Sequence, residues 1–199
     1  NNPANKRSWT AQYTTQNGDT EGGVVGYTID FNDLAGNNNG AVVTSGHATN
    51  VTFDKTAPNI TAVGIASNNA APGPTTHAKV GHVVTLTFTT NEAIQTPTVV
   101  FTSNGAAVAG GVTYNNPANK RSWTAQYTTQ NGDTEGTVGY TIDFTNLAGI
   151  DGTDVTSGHA TNVTFDRTVP NITAVSIASN NATPGPTTHA KVGHVVTLT

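Results

Sequence analysis

Only 12 of the 199 residues are Asp or Glu, and they gather at turns and strand ends. Asp54 and Asp166 each close a V-T-F-D stretch, directly before K-T-A-P and R-T-V-P. Glu92 lies in the turn T-T-N-E-A. Asp133 and Glu135 share N-G-D-T-E-G, a stretch already met at Asp19 and Glu21. Hard oxygens at loop ends are the donors from which calcium collects its roughly six to eight ligands. A solvated carboxylate, or one that caps a turn, is the competing reading. The spacing fits no continuous calcium loop, neither an EF-hand nor a glycine-rich nonapeptide.

The six histidines offer little more. His77 and His82, recurring as His189 and His194, stand five apart, so on one strand they would face opposite ways. His47 and His159 each sit in a Ser-Gly-His turn and read as surface residues. The chain has no Cys, which removes disulfides, thiolate metal sites and a cysteine nucleophile together. It carries no G-x-S-x-G, no H-E-x-x-H and no phosphate loop, and a catalytic triad needs a pocket where its groups converge. An enzyme is not expected.

The elements that would position these residues come in copies. Asn115–Glu135 repeats Asn1–Glu21 letter for letter, an offset of 114. Tyr27 and Tyr140 are offset by 113, and Asp54/Asp166 and His77/His189 by 112, so two short deletions in turns separate the copies. A period of this length is that of a small domain, not of a solenoid unit. Boundaries fall at Pro58 and Pro170, inside FDKTAPNITAV and FDRTVPNITAV, where a stiff linker joins two strand-like stretches. Residues 59–170 then form a complete repeat, residues 1–58 the C-terminal part of the one before, and residues 171–199 the N-terminal strands of the next. The flanking pieces would expose strand edges and half a core on their own. An excerpt of a longer array explains this, as does strand complementation between identical chains in a fibre. The missing Met and the absence of a visible signal peptide favour the excerpt.

Within the complete repeat, apolar residues alternate. Val63 and Ile65, then Val84, Leu86 and Phe88, then Val99 and Phe101 mark three strands, and a weaker one is expected near Ala107–Tyr114. Trp123, Ala125 and Tyr127, then Tyr140, Ile142 and Phe144, then Val163 and Phe165 complete about seven. Turns are expected at Asn68-Asn69, Pro72-Gly73-Pro74, Asn104-Gly105, Asn131-Gly132 and Ala148-Gly149. No useful helical period occurs. The fold class is all-β, with immunoglobulin-like β-sandwich repeats in tandem, although the Cys-Trp-Cys hallmark of antibody domains is missing. Trp123 and its tyrosines alternate with polar residues and so point inward; Tyr140 is either a stretched tyrosine corner or a core tyrosine. Charged residues make up 10% of the chain and the net charge is -4. With no basic patch a nucleic-acid partner is not expected, and no apolar run of about 18 residues predicts a membrane span.

FDKTAPNITAV, AKVGH, TFTTNEAIQTPTVVF, WTAQYT, DTEG with VGYTIDF, and DLAGN at Asp33–Asn37 together resemble the bacterial Ig-like repeats of very large surface adhesins and biofilm-associated proteins. The resemblance covers essentially the whole chain. It implies an extracellular or cell-surface location, a stalk or filament role, and neighbouring repeats of the same or identical chains as partners. It also implies calcium at domain junctions, which makes Asp54, Asp166 and Glu92 the metal candidates. A loop-mediated module binding a glycan or a cell-surface protein is the alternative. Two departures stand out. His82 and His194 replace a common aspartate, and the second copy reads NLAGI (Asn146–Ile150), so an aspartate at that place is not expected to be essential.

Overall fold

The computed structural model describes residues 7–69, 73–115, 117–181 and 185–199. Pro72 of the expected Pro-Gly-Pro turn and residues 1–6 of the first repeated stretch lie outside them. The chain forms two compact units, Asn1–Asp166 and Arg167–Thr199. Among the described residues there is no helix, and so none long and apolar enough to cross a membrane.

In the first unit the named strands all lie between Ile60 and Phe165. They are β1 (Ile60–Ser67), β2 (His77–Ala78), β3 (Val83–Thr90), β4 (Thr98–Ser103), β5 (Ala106–Ala107), β6 (Thr113–Tyr114), β7 (Ser122–Thr128), β8 (Gly136–Asp143) and β9 (Thr164–Phe165). They make one sheet in the order β1-β3-β7-β6 and another in the order β2-β9-β8-β4-β5. Every pairing is antiparallel except β2 with β9, which is parallel.

The period-2 pattern makes these strands, because alternate side chains share one face. Val84, Leu86 and Phe88 of β3 are buried and lie opposite Tyr127, Ala125 and Trp123 of β7. Val99 and Phe101 of β4 lie opposite Ile142 and Tyr140 of β8. The two faces meet in a single core, where the rings of Phe101 and Tyr127 lie 4.8 Å apart at 37°. This all-β arrangement of packed antiparallel sheets is sandwich-like. As expected, Trp123 points inward; its indole N–H donates to Lys120 O at 3.1 Å. The Asn104-Gly105 turn closes the β4–β5 hairpin with φ of 50° and 79°, the two positive values a type I′ turn needs.

Three readings change. The weak strand expected near Ala107–Tyr114 is two short strands on different sheets, β5 and β6. The Gly110-Gly111 pair carries the chain across, and a Cβ at Gly110 would come within 3.0 Å of Thr128 O. His77 and His82 do not share a strand, since β2 ends at Ala78 and a turn precedes β3. Tyr140 is a core tyrosine and forms no tyrosine corner: its hydroxyl meets the His159 side chain, not upstream backbone.

Residues 7–58 carry isolated bridges, Val24↔Thr52, Ile29↔Val43 and Asn32↔Asn38. Their core-type residues, such as Trp9 and Tyr13, are exposed, because this stretch holds no counterpart of β1, β3 and β4 for them to cover. In the second unit, β10 (Ile177–Ser179) pairs antiparallel with β11 (Val196–Leu198).

Candidate junction site

The segment Asp54–Pro58, expected from the sequence to be a linker, lies beside the turns that follow β3 and β8. Asp54 begins it with a local turn, its Oδ1 accepting from Thr56 N at 3.0 Å, the ordinary Asx geometry. Pro58 is buried. Asn59 and Asn91 then clasp: Asn59 N donates to Asn91 Oδ1 at 2.8 Å and Asn91 N to Asn59 O at 3.1 Å.

The far side of the junction is built on Asn146. Its own turn uses the amide oxygen, which accepts from Ala148 N at 3.0 Å and Ile150 N at 2.8 Å. The amide nitrogen is left for the linker. It donates to Asp54 Oδ2 at 2.9 Å and to Thr56 O at 3.0 Å. Gln95 Nε2 secures the turn from another side by donating to Asn146 O at 3.0 Å. Asn146 is 0% exposed, and both ends of its amide are satisfied, as burial requires. The partners also fix which end is which: two backbone N–H groups face one atom, a carboxylate and a carbonyl the other.

Of the three carboxylates expected to bind metal, the fold brings Asp54 and Glu92 together. Glu92 is half-buried, and its carboxyl is pushed above the usual range by burial first, then by the charge of Asp54, a hydrogen bond to Asp54 and the charge of Glu21; Arg121 opposes the shift. Glu21 itself accepts from Lys55 N at 2.9 Å. Asp166 is not part of this pair. It follows β9, exposed, with its N–H donating to Ala78 O at 2.9 Å.

Among the described residues no group of three or more His, Cys, Asp or Glu is placed to hold a metal ion. At the junction Asp54 Oδ2 and Thr56 O both accept N–H protons of Asn146.

The earlier copy carries the same turn with one atom changed. Asp33 N donates to Asn37 O, and Asp33 Oδ1 accepts from Ala35 N at 2.9 Å and Asn37 N at 2.8 Å. Asp33 Oδ2, the counterpart of Asn146 Nδ2, accepts from Asn37 Nδ2 at 2.8 Å. These bonds, that of the Asn37 side chain foremost, hold its carboxyl below the usual range.

The carboxylates of N-G-D-T-E-G do turn work. Asp133, 1% exposed, accepts from Ala109 N at 2.9 Å and Gln130 N at 2.7 Å, tying the crossing between β5 and β6 to the β7–β8 turn. In the earlier copy Asp19 holds Gln16 N and the Tyr13 hydroxyl.

Sequence reasoning passed over a further constellation. The Tyr140 hydroxyl meets His159 Nδ1 at 2.8 Å, and His159 Nε2 meets Asn162 Oδ1 at 2.7 Å. Tyr27, His47 and Asn50 repeat the chain at 3.0 and 2.8 Å. The signal was the joint recurrence of Tyr, His and Asn in both copies. His77 and His82 make local contacts, with the Thr76 hydroxyl and with Lys79 N. A depression over the β1-β3-β7 sheet, lined by Val63, Gly64, Phe88, Asn115, Trp123 and Thr124 among others, contains no titratable side chain. In comparison with known proteins, no protein-family model, no curated protein and no solved structure matches this chain.

Proposed function

We propose that the chain is a run of tandem immunoglobulin-like repeats from an extracellular bacterial surface protein, acting as a stalk that gives reach to an adhesive or biofilm-forming tip. The observation that carries the reading is recurrence at two levels. Twenty-one residues return unchanged, the Asp33/Asn146 turn returns with the same backbone bonds to Oδ1, and the Tyr-His-Asn chain returns with the same partners. Binding surfaces diverge under selection for different ligands, whereas spacers need only stack.

Strand order supports the immunoglobulin-like part. Such sandwiches place strands A, B, E and D on one sheet and C, F and G on the other. Taking β1, β3, β4, β6, β7, β8 and β9 as A to G gives A-B-E-D and C-F-G, with β2 and β5 as additions. The resemblance of the junction and strand motifs to adhesin repeats supports the location.

On this reading each repeat adds roughly 40 Å, from strands of about 7 residues at ~3.3 Å each plus loops. Electron microscopy of chains with increasing numbers of the 59–170 repeat measures it. A rod lengthening by about that increment per copy is expected, and copies that collapse into a globule of constant length overturn the stalk.

A further inference from the structure

We propose that β1 is a docking edge for a second copy of this chain, the two β1 strands pairing antiparallel about a twofold axis at Gly64.

Four strands end the two sheets, β1 and β6 on one, β2 and β5 on the other. β2, β5 and β6 are two residues long, and edges so short offer another chain little to pair with. β1 runs for eight residues, Ile60–Ser67. Its sequence ITAVGIAS holds no charge and no proline, so it lacks the side chains that keep an edge from pairing. A register shift between Ile60 and Ala62 disturbs only its start.

The open side is defined residue by residue. Ser67 N turns away from β3 and donates to Thr75 O at 2.8 Å, whereas Asn68 N donates to Val83 O at 3.0 Å. Backbone groups alternate in direction along an antiparallel strand. Ala62, Gly64 and Ala66 therefore bond to β3, and the N–H and C=O of Val63 and Ile65 face outward. Among the described residues no strand lies on that side, and Thr61, Ala62 and Ala66 are exposed.

A second β1 fits this edge in one register. With the two Gly64 residues opposite each other, Val63 stands opposite Ile65 of the second copy, and their outward groups exchange both bonds. Ala62 then faces Ala66 of the second copy in a non-hydrogen-bonded pair, where Cα atoms approach to about 4.5 Å and side chains are closest. The small residues Ala62, Gly64 and Ala66 leave room there, and no like charges meet. The two sheets join into one. A contact of this kind covers less than the roughly 1,000 Å² that a stable complex needs, so each pair is transient. The stretch returns as ITAVSIAS at Ile172–Ser179. On the tandem-repeat reading an array presents such edges at a fixed spacing, and the partner whose spacing matches is another array, along which weak pairs add up. The pairing of single edges does not need that reading.

The test is disulfide trapping in the full 199-residue chain, which has no native Cys. Ala62→Cys and Ala66→Cys each place one thiol at an exposed position. In oxidised glutathione, an equal mixture of the two variants should form covalent dimer about tenfold faster than either alone, because the antiparallel register brings positions 62 and 66 within disulfide reach. It holds two copies of position 62 roughly 13 Å apart, four residues at ~3.3 Å each. Adding Val63→Pro removes an outward N–H and no bond to β3, and should return the mixture to the single-variant rate. Equal rates for mixture and single variants overturn the proposal. So does faster trapping of Ala62→Cys with itself, which would mean parallel stacking, or mixture trapping that survives Val63→Pro in a chain whose circular dichroism is unchanged. If Val63→Pro does not fold, the comparison of mixture with single variants still decides. Rod length in the microscope is independent of these rates, so failure of the edge and failure of the stalk are told apart.

Discussion

Replacing Asp133 with alanine removes an acceptor that two separate segments share. The carboxylate is 1% exposed and holds Ala109 N and Gln130 N at 2.9 and 2.7 Å. Hydrogen bonds to a charged group contribute about 1.5–3 kcal/mol each. Both donors belong to exposed residues, so water can reach them in the variant and roughly half of that sum is recovered. A net loss of about 1.5–3 kcal/mol remains, which for a domain of this size lowers the melting midpoint by about 10 °C. Calorimetry or circular dichroism on the full chain measures it. Asp133→Asn should cost nearly as much, since its NH₂ end must confront one of the two N–H groups. A spectroscopic signature accompanies the change. The Tyr127 phenol is pushed far above its ordinary range, by burial first and then by the Asp133 charge, and should titrate lower in the alanine variant. A loss below about 0.5 kcal/mol would refute the view that this carboxylate fastens the β5–β6 crossing, and a similar loss in wild type on adding chelator would mean that it binds metal instead.

Glu92→Gln should stabilise the chain by a few tenths of a kcal/mol near neutral pH, the scale of half-exposed charge contacts. The sign follows from a folded-state value that is raised. The favourable contribution of Glu92 is fully present below the ordinary carboxyl range and fades as pH rises through the raised value. The difference in melting midpoint between variant and wild type should therefore grow from about pH 4 to about pH 7; a constant difference refutes the coupling to Asp54 and Glu21. Gly152→Ala should cost about 1–3 kcal/mol by overpacking, because a Cβ there collides with the edge of the buried Phe144 ring. Denaturant titration reads this, and Gly152→Ala paired with Phe144→Leu should regain part of the loss.

The core was legible because alternation is a direct imprint of a sheet with one buried face: Leu86, Trp123 and Ile142 were placed by spacing alone. Two-residue strands without alternating apolar neighbours leave no such imprint, so β2 went unread and β5 and β6 merged into one. The carboxylates were legible as residues near a junction, and Asp54 and Glu92 do meet there. What they meet was not legible, because Asn146 is 92 positions from Asp54. The change from aspartate at that place looked like evidence of a dispensable position, yet the residue is buried and bonded on every side. An amide differs from a carboxylate by one atom, and only the partner across the junction gives that atom its meaning. The Tyr140–His159 contact was hidden in the same way, by a separation of 19 positions.

The parallel pairing of β2 with β9 joins strands near the two ends of the repeat. Thr164 N and Asp166 N donate across it to Thr76 O and Ala78 O at 2.8 and 2.9 Å. Tension applied through Pro58 and Asp166 would pull these strands past each other lengthwise, so their bonds must break together and not one after another like a zipper. Resistance to pulling is governed by the height of that barrier, not by equilibrium stability. On the proposed stalk reading, a tether of such repeats would resist pulling while each repeat remained only marginally stable at rest.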